Sequence, residues 1–339
     1  MAGDSRLFRG DHPAKELVLV TGGAGFIGSH FVHTLLNGGH SVRVLDDFST
    51  GKRENLEGAE ALAATHGAHF QLMHCDVRDD FRVRDALDGC SAVAHLAAVA
   101  SVTLSVEDPV NANSVTHGGT VNIVRRAVEA GVPRVVLASS CAVYGDAAHL
   151  PVAETSPLRP LSPYATAKLA SEEVCAAAAD AEGITAVCLR FFNVYGPRQD
   201  PTSEYSGVIS RFMSAAASGE AVTIYGDGRQ TRDFVYVGDV AQALTQALLK
   251  PLSGCSVANV GSSTQTSLLD ILGRLEELSG RPIERGFAPP RTGDIRDSCA
   301  DTGRAAWVLG WRAATEFSDG LSQTWEWHRR RSHPDVSGD

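Results

Sequence analysis

Apolar residues fall along this chain in two alternating rhythms. Short runs rich in apolar and β-branched residues at 17–21, 41–45, 70–74, 92–95, 135–139 and 185–190 read as buried strands. Between several of them, 26–36, 115–130 and 164–181 carry apolar residues at helical spacing. This alternation predicts a parallel sheet covered on both faces, because parallel neighbours can be joined only through crossovers. The expected fold is α/β, a doubly wound parallel sheet over about residues 15–195. After Gly196 the rhythm breaks: Pro197, Pro201, Gly207, Gly219, Gly226 and Gly228 interrupt shorter elements, and Pro289, Pro290 and Gly293 punctuate a later loop. A smaller C-terminal lobe over about 196–330 is expected. Some of it should return to the first domain, since 234–249 again reads as strand then helix.

Composition narrows the function classes. The length of 339 residues exceeds the roughly 150 typical of one domain. The net charge is −10 and the one basic run is Arg329, Arg330 and Arg331, which argues against nucleic acid as a partner. No stretch of about 18 uninterrupted apolar residues suggests a membrane span, and residues 1–16 lack the apolar centre of a signal peptide. Cys75, Cys90, Cys141, Cys175, Cys188, Cys255 and Cys299 are odd in number and scattered, with no C-x-x-C pair. A reduced, cytoplasmic setting is expected. His12, His30, His33, His95, His117 and His149 show no ligand spacing, so no metal site is expected.

The turn Thr21-Gly22-Gly23-Ala24-Gly25-Phe26-Ile27-Gly28 joins the first strand to the first helix. There a dinucleotide's pyrophosphate can meet the uncommitted N–H groups of a helix N-terminus. Gly22 allows the tight turn, Gly25 lets backbone approach phosphate, and Gly28 lets helix and strand pack closely. Asp46 ends the second strand about 20 residues on, where a carboxylate can accept both ribose hydroxyls. It would repel a 2′-phosphate, so NAD is expected rather than NADP. Lys52 and Arg53, close behind, are the feature that points the other way.

Tyr164 and Lys168 stand four apart, so a helix puts phenol and ammonium on one face. A nearby cation lowers a tyrosine pKa, which would suit Tyr164 to act as a base. Alone, this spacing is more often that of an ordinary helix surface. Ser139 and Ser140 put hydroxyls at the C-terminal end of a buried strand, where open α/β sheets bind ligands. Ser140 could share a substrate hydroxyl with Tyr164, or simply cap the following turn.

Together with Val143-Tyr144-Gly145, with the run Arg190-Phe191-Phe192-Asn193-Val194-Tyr195-Gly196-Pro197 and with residues 226–235, these motifs resemble the extended short-chain dehydrogenases/reductases. Within them the chain is most similar to the nucleotide-sugar epimerases of the UDP-glucose 4-epimerase group, from about residue 17 to 311. The resemblance implies a Rossmann-like NAD-binding domain and a UDP-sugar-binding lobe. It implies that Phe26, Ile27, Asp47, Ser49, Thr50, Gly51, Leu96, Ala97, Ala98, Asn113 and Ser139 line the cofactor, with Asp76 and Val77 beside the adenine. Asn193, Arg232 and Arg291 would hold the substrate's diphosphate, Tyr225 would lie near the uracil and Asp294 near its ribose. Both arginines also suit phosphate chemically, as planar forks of fixed charge. Ser298 would face the sugar, small enough to admit a 2-acetamido group. By likeness the protein is expected to form a homodimer through 115–130 and 164–181.

The implied reaction is NAD-dependent 4-epimerisation through a 4-keto sugar, with Tyr164 as base, Lys168 positioning the nicotinamide ribose and Ser140 orienting the reacting oxygen. A UDP-glucuronate 4-epimerase and a decarboxylase remain open alternatives. A 4,6-dehydratase needs an added acid and base where this chain has Cys141 and Ala142, which disfavours it. A non-catalytic NAD-binding scaffold on the same fold is the remaining rival.

Overall fold

The structure is a computed structural model and describes residues 16–200, 207–290 and 295–332. In chain order the first part comprises β1 (Leu17–Thr21), α1 (Phe26–Asn37), β2 (Ser41–Asp46), α2 (Ala59–Thr65), β3 (Phe70–His74), α3 (Asp80–Leu87), β4 (Ala92–His95), α4 (Val102–Glu107) and α5 (Pro109–Asn113). It continues through α6 (Gly119–Glu129), β5 (Arg134–Ser140), α7 (Pro163–Glu182) and β6 (Thr185–Phe191). The remainder comprises β7 (Asn193–Tyr195), α8 (Val208–Ser218), β8 (Val222–Tyr225), β9 (Thr231–Tyr236), α9 (Val237–Leu249), β10 (Cys255–Val260), β11 (Gln265–Ser267), α10 (Leu268–Ser279), β12 (Arg285–Ala288), α11 (Gly303–Leu309) and α12 (Phe317–Ser332).

Seven of these strands form one sheet in the order β10-β6-β5-β4-β1-β2-β3, every neighbouring pair parallel. Its central strands are buried on both faces, as their continuous apolar runs require. One face packs against α1, α2, α9 and α11 through residues such as Phe31, Leu35, Leu244 and Leu309. The other packs against α3, α6 and α7 through Val83, Ile123 and Cys175. Because β10 lies in this sheet and α9 packs on α1, residues 237–260 belong to the large layer although they follow the first strands of the smaller lobe.

The smaller lobe holds a three-stranded sheet, β11-β9-β7, and a parallel pair, β12 with β8. Its own core gathers Phe212, Ile224, Phe234, Leu272 and Leu321. The helical stretch expected over 115–130 is not uniform. Residues 114–118 form a π-helical turn, and the α-helix starts only at Gly119. Two reasons are visible: Gly118 and Gly119 adjoin, and the Thr120 hydroxyl donates back to the Thr116 carbonyl at 2.6 Å.

Leu35 of α1 is 1% exposed and sits in the core under α9. Leu35→Ala should cost about 2–5 kcal/mol of stability, read as a lower urea midpoint at unchanged slope. An unchanged midpoint would mean that this helix contact does not hold the domain.

Candidate active site

The glycine turn has no spare volume where it must be tight. Gly22 has φ +68°, and a Cβ there would stand 2.8 Å from the Ala97 nitrogen. A Cβ on Gly28 would collide with the Gly22 carbonyl oxygen. Helix α1 then starts from Gly25 with no side-chain cap, so the first amides, at Phe26 and Ile27, point out of the turn uncapped. Asp46 is 5% exposed and accepts from the Ala24 amide at 2.8 Å and the Phe48 amide at 2.9 Å. Burial raises its pKa, and those two amides oppose the rise. A carboxylate offers about four acceptor positions, so two remain for a pair of hydroxyls. A Cβ on Gly51 would stand 2.7 Å from Asp46 Oδ1, so only glycine leaves that oxygen uncrowded. The cradle fits a dinucleotide.

Neither nearby cation sits beside that carboxylate. Lys52 Nζ bonds Asp200 at 2.7 Å, and the Arg53 guanidinium lies 4.5 Å over the Phe48 ring. Asp47 is spent on the amide and hydroxyl of Ser49, at 2.9 and 2.7 Å, and Thr50 is exposed. Asp76 is gripped by the amide and guanidinium of Arg78, which lowers its pKa. Val77 is buried, with its carbonyl held by Asn122 at 2.9 Å. Leu96 and Ala97 line the turn through their backbone, both amides donating to Thr21 Oγ1 at 3.2 Å, and Ala98 follows half-buried. Asn113 is exposed at the end of α5.

Those two amide bonds fix more than the loop. With both lone pairs of Thr21 Oγ1 taken, its hydroxyl must donate to His95 Nδ1 at 2.7 Å. His95 therefore carries its proton on Nε2 and donates to Thr120 Oγ1 at 3.1 Å, and Thr120 donates to the Thr116 carbonyl at 2.6 Å. Burial drives the His95 pKa down to about 3, so the ring is neutral. Sequence reasoning missed this relay from the glycine turn to the helices.

Helix α7 starts where Ser162 accepts the Ala165 amide at 3.2 Å and Pro163 takes the first helical position. This sets Tyr164 on its first turn and Lys168 one turn deeper. Lys168 Nζ lies 5.9 Å from the Tyr164 ring centroid and donates to the Ala138 carbonyl at 2.7 Å. Ser140, at the end of β5, accepts from the Ala142 amide at 3.2 Å, and its hydroxyl lies close enough to the Tyr164 phenol to favour the phenolate. The expected lowering of the Tyr164 pKa is not found: burial pushes it up to about 12, and the Ser140 hydroxyl only partly counters this. The same burial brings Lys168 down to about 8, opposed by Glu172. The chain alone thus holds Tyr164 protonated. Ser139 departs from expectation too, because its hydroxyl donates to Glu172.

In the smaller lobe, β7 and β9 run parallel, bringing Asn193 level with Phe234 and two residues along from Arg232. Arg232 Nη1 donates to the carbonyls of Thr231 and Arg296, at 2.9 and 3.0 Å. Tyr225 ends β8, its carbonyl accepting from Gln230 at 2.6 Å. The Ser298 amide donates to the Thr231 carbonyl at 3.2 Å, while Ser298 Oγ is buried with no hydrogen-bond partner among the described residues. Arg291 and Asp294 lie outside the described residues.

The sequence profile of the NAD dependent epimerase/dehydratase family matches residues 18–261. A UDP-glucose 4-epimerase of Mycolicibacterium smegmatis is 40% identical over 93% of this chain and 99% of its own. Among solved structures, a UDP-glucose 4-epimerase of Thermotoga maritima with UDP-glucose superposes with a TM-score of 0.86 at 35% identity, covering 93% of this chain and 99% of that one. A UDP-N-acetylglucosamine 4-epimerase of Methanobrevibacter ruminantium, in complex with UDP-N-acetylmuramic acid, superposes with a TM-score of 0.88 at 32% identity, covering 94% and 99%. A profile match over most of the chain and near full-length identity at this level mean that the protein belongs to the NAD-dependent epimerase/dehydratase family.

Proposed function

We propose that the protein is a 4-epimerase of UDP-sugars, converting UDP-glucose and UDP-galactose through a bound 4-keto sugar. The observation that carries this reading is the cluster of Tyr164, Ser140 and Lys168 at the C-terminal ends of the strands, beside a cradle that fits NAD. NAD, when bound, supplies a hydride acceptor for the sugar C4 and adds positive charge near the phenol.

The chain's own residues then have these roles. The amides at Phe26 and Ile27 hold the cofactor's diphosphate and Asp46 its ribose hydroxyls. Lys168 holds the nicotinamide ribose and biases Tyr164 toward phenolate. Tyr164 removes the proton from the C4 hydroxyl and returns it after inversion, and Ser140 orients that oxygen. Asn193, Tyr225 and Arg232 serve the uridine diphosphate. Cys141 supports epimerisation over dehydration, because burial pushes its thiol up to about 12, out of range for the acid a dehydratase needs. The seven cysteines are free thiols, in keeping with a reducing cytoplasm. A homodimer through α6 and α7 is supported by the exposed apolar Val106, Val110 and Val121 on and beside them.

An NMR time course with UDP-glucose, UDP-N-acetylglucosamine and UDP-glucuronate in parallel, without added reductant, tests the reaction. Conversion of UDP-glucose to its 4-epimer is expected, and a stable keto or decarboxylated product would overturn epimerisation. Tyr164→Phe should lower kcat by about 10³-fold with NAD affinity unchanged by calorimetry. Undiminished turnover would remove Tyr164 from the mechanism. Ser298→Tyr should abolish turnover of the N-acetylhexosamines before that of UDP-glucose, and an unchanged substrate ratio would show that Ser298 is not the gate.

A further inference from the structure

Beneath Lys168 lies a charged cluster that the proposed mechanism does not use. Tyr164, Lys168 and Glu172 follow one another at intervals of four along a slowly turning stripe of α7. Lys168, Glu172 and Arg190 are 4%, 5% and 3% exposed. Glu172 accepts Arg190 Nε at 2.9 Å and Nη2 at 2.6 Å, a bidentate pair, and also the Ser139 hydroxyl. Arg190 reaches on to the Tyr144 hydroxyl at 2.9 Å, which donates to Asn259 Oδ1 at 2.6 Å. The network therefore ties α7 to β5, β6 and β10.

We infer that Glu172, held by Arg190, is the positioning residue that keeps Lys168 charged and its ammonium aimed past the Ala138 carbonyl toward Tyr164. This rests on the roles proposed above for Tyr164 and Lys168. Two cations against one carboxylate leave the buried cluster one positive charge, which a phenolate at Tyr164 would balance. Arg190 keeps Glu172 from closing a direct ion pair with Lys168. Such a pair would use one of the ammonium's three donors, turn it away from the site and cancel its field at the phenol. Held one step back, Glu172 supplies the countercharge without taking the donor.

Other titratable groups surround α7. His95 of β4 is neutral, and β6 and β10 add the thiols Cys188 and Cys255. The turn after β5 adds Cys141 and Tyr144, both raised by burial, and the π-helical turn adds His117. On α6, Arg125 and Arg126 pair with Asp80, and α4 carries Glu107. Of the groups around it, Glu172 is the charge that opposes the fall in the Lys168 pKa.

The test compares Glu172→Gln, Glu172→Asp and the double variant Glu172→Gln/Arg190→Met. The last removes both partners, so it folds without an orphaned charge where Glu172→Gln alone does not. In kcat profiles on UDP-glucose, the alkaline limb should move down by about one pH unit in Glu172→Gln, with KM within about twofold, by less in the double variant, which loses a neutral pair, and return in the Asp variant. A second readout needs no turnover: unfolding free energy against pH, each protein compared with its Lys168→Met counterpart. Folding lowers the Lys168 pKa, so stability rises as pH climbs from the folded value toward the unfolded one, where only the unfolded chain still holds the proton. That rise should begin at lower pH without Glu172. A folded Glu172→Gln variant with limb and onset both unmoved overturns the assignment, as does a double variant that moves as far as Glu172→Gln or an Asp variant that restores neither. If the wild type turns over no sugar nucleotide, the proposed function fails, and the stability onset still decides the Glu172–Lys168 coupling.

Discussion

Parallel strands can be joined only by crossovers, and in this protein that constraint decides where polar chemistry can stand. Every strand of the seven enters the sheet at the same end, so Thr21, Asp46, His95 and Ser140 all gather at the other. Within the central strands, burial on both faces favours apolar side chains, as in β1 and β4. The groups of the candidate site stand at the strand ends and on the helices packed across them. Tyr164 and Lys168 meet this edge from the first turns of α7, so one rigid helix carries both phenol and ammonium.

Once buried, a charge must be answered, and the answers here double as joints. Asp46 is met by amides of the glycine turn and of the loop after β2, which folds that loop back over the turn; the Lys52 amide and the Asn55 side chain complete it on the Ala24 carbonyl, at 3.0 and 2.8 Å. Asp233, fully buried on β9, is met by the amides of Ser262, Ser263 and Ala300 at 2.6, 3.0 and 2.8 Å and by the Ser262 hydroxyl at 2.8 Å. It thereby clamps two loops from opposite ends of the smaller lobe to one strand. Neither carboxylate could be replaced by an apolar residue without orphaning several buried N–H groups.

The strands were legible because each is bounded by glycine, proline or polar residues and its apolar run is continuous, as at 17–21 and 92–95. The glycine turn and Asp46 were legible because their chemistry depends on local spacing. What escaped reading depends on partners far along the chain. The π-helical turn at 114–118 answers to α7, against which it packs, and His95 answers to Thr21 and Thr120. The Tyr164 pKa came out opposite in direction for the same reason. Spacing places a cation one turn away, but what governs the phenol is desolvation, which comes from how α7 is set against its neighbours. Glu172 reads as an ordinary helix acid until β6 lays Arg190 against it.

The substrate side of the site follows from the same joinery. Asp233 clamps β9 to the Ala300 amide, and the Ser298 amide is tied to the Thr231 carbonyl on that strand, so the wall bearing Ser298 is braced on both sides of its side chain. Its position is set by backbone bonds that a larger side chain at 298 would leave intact; volume, and not frame, is what changes there. A buried hydroxyl without a partner is also unfavourable until something pairs with it. Under the proposed reading, a sugar substituent with a donor or acceptor at that wall gains from both effects, space and an unpaired hydroxyl, whereas a purely apolar substituent gains only the first. On that reading, a wall at Ser298 that admitted a 2-acetamido group would also reward its polarity.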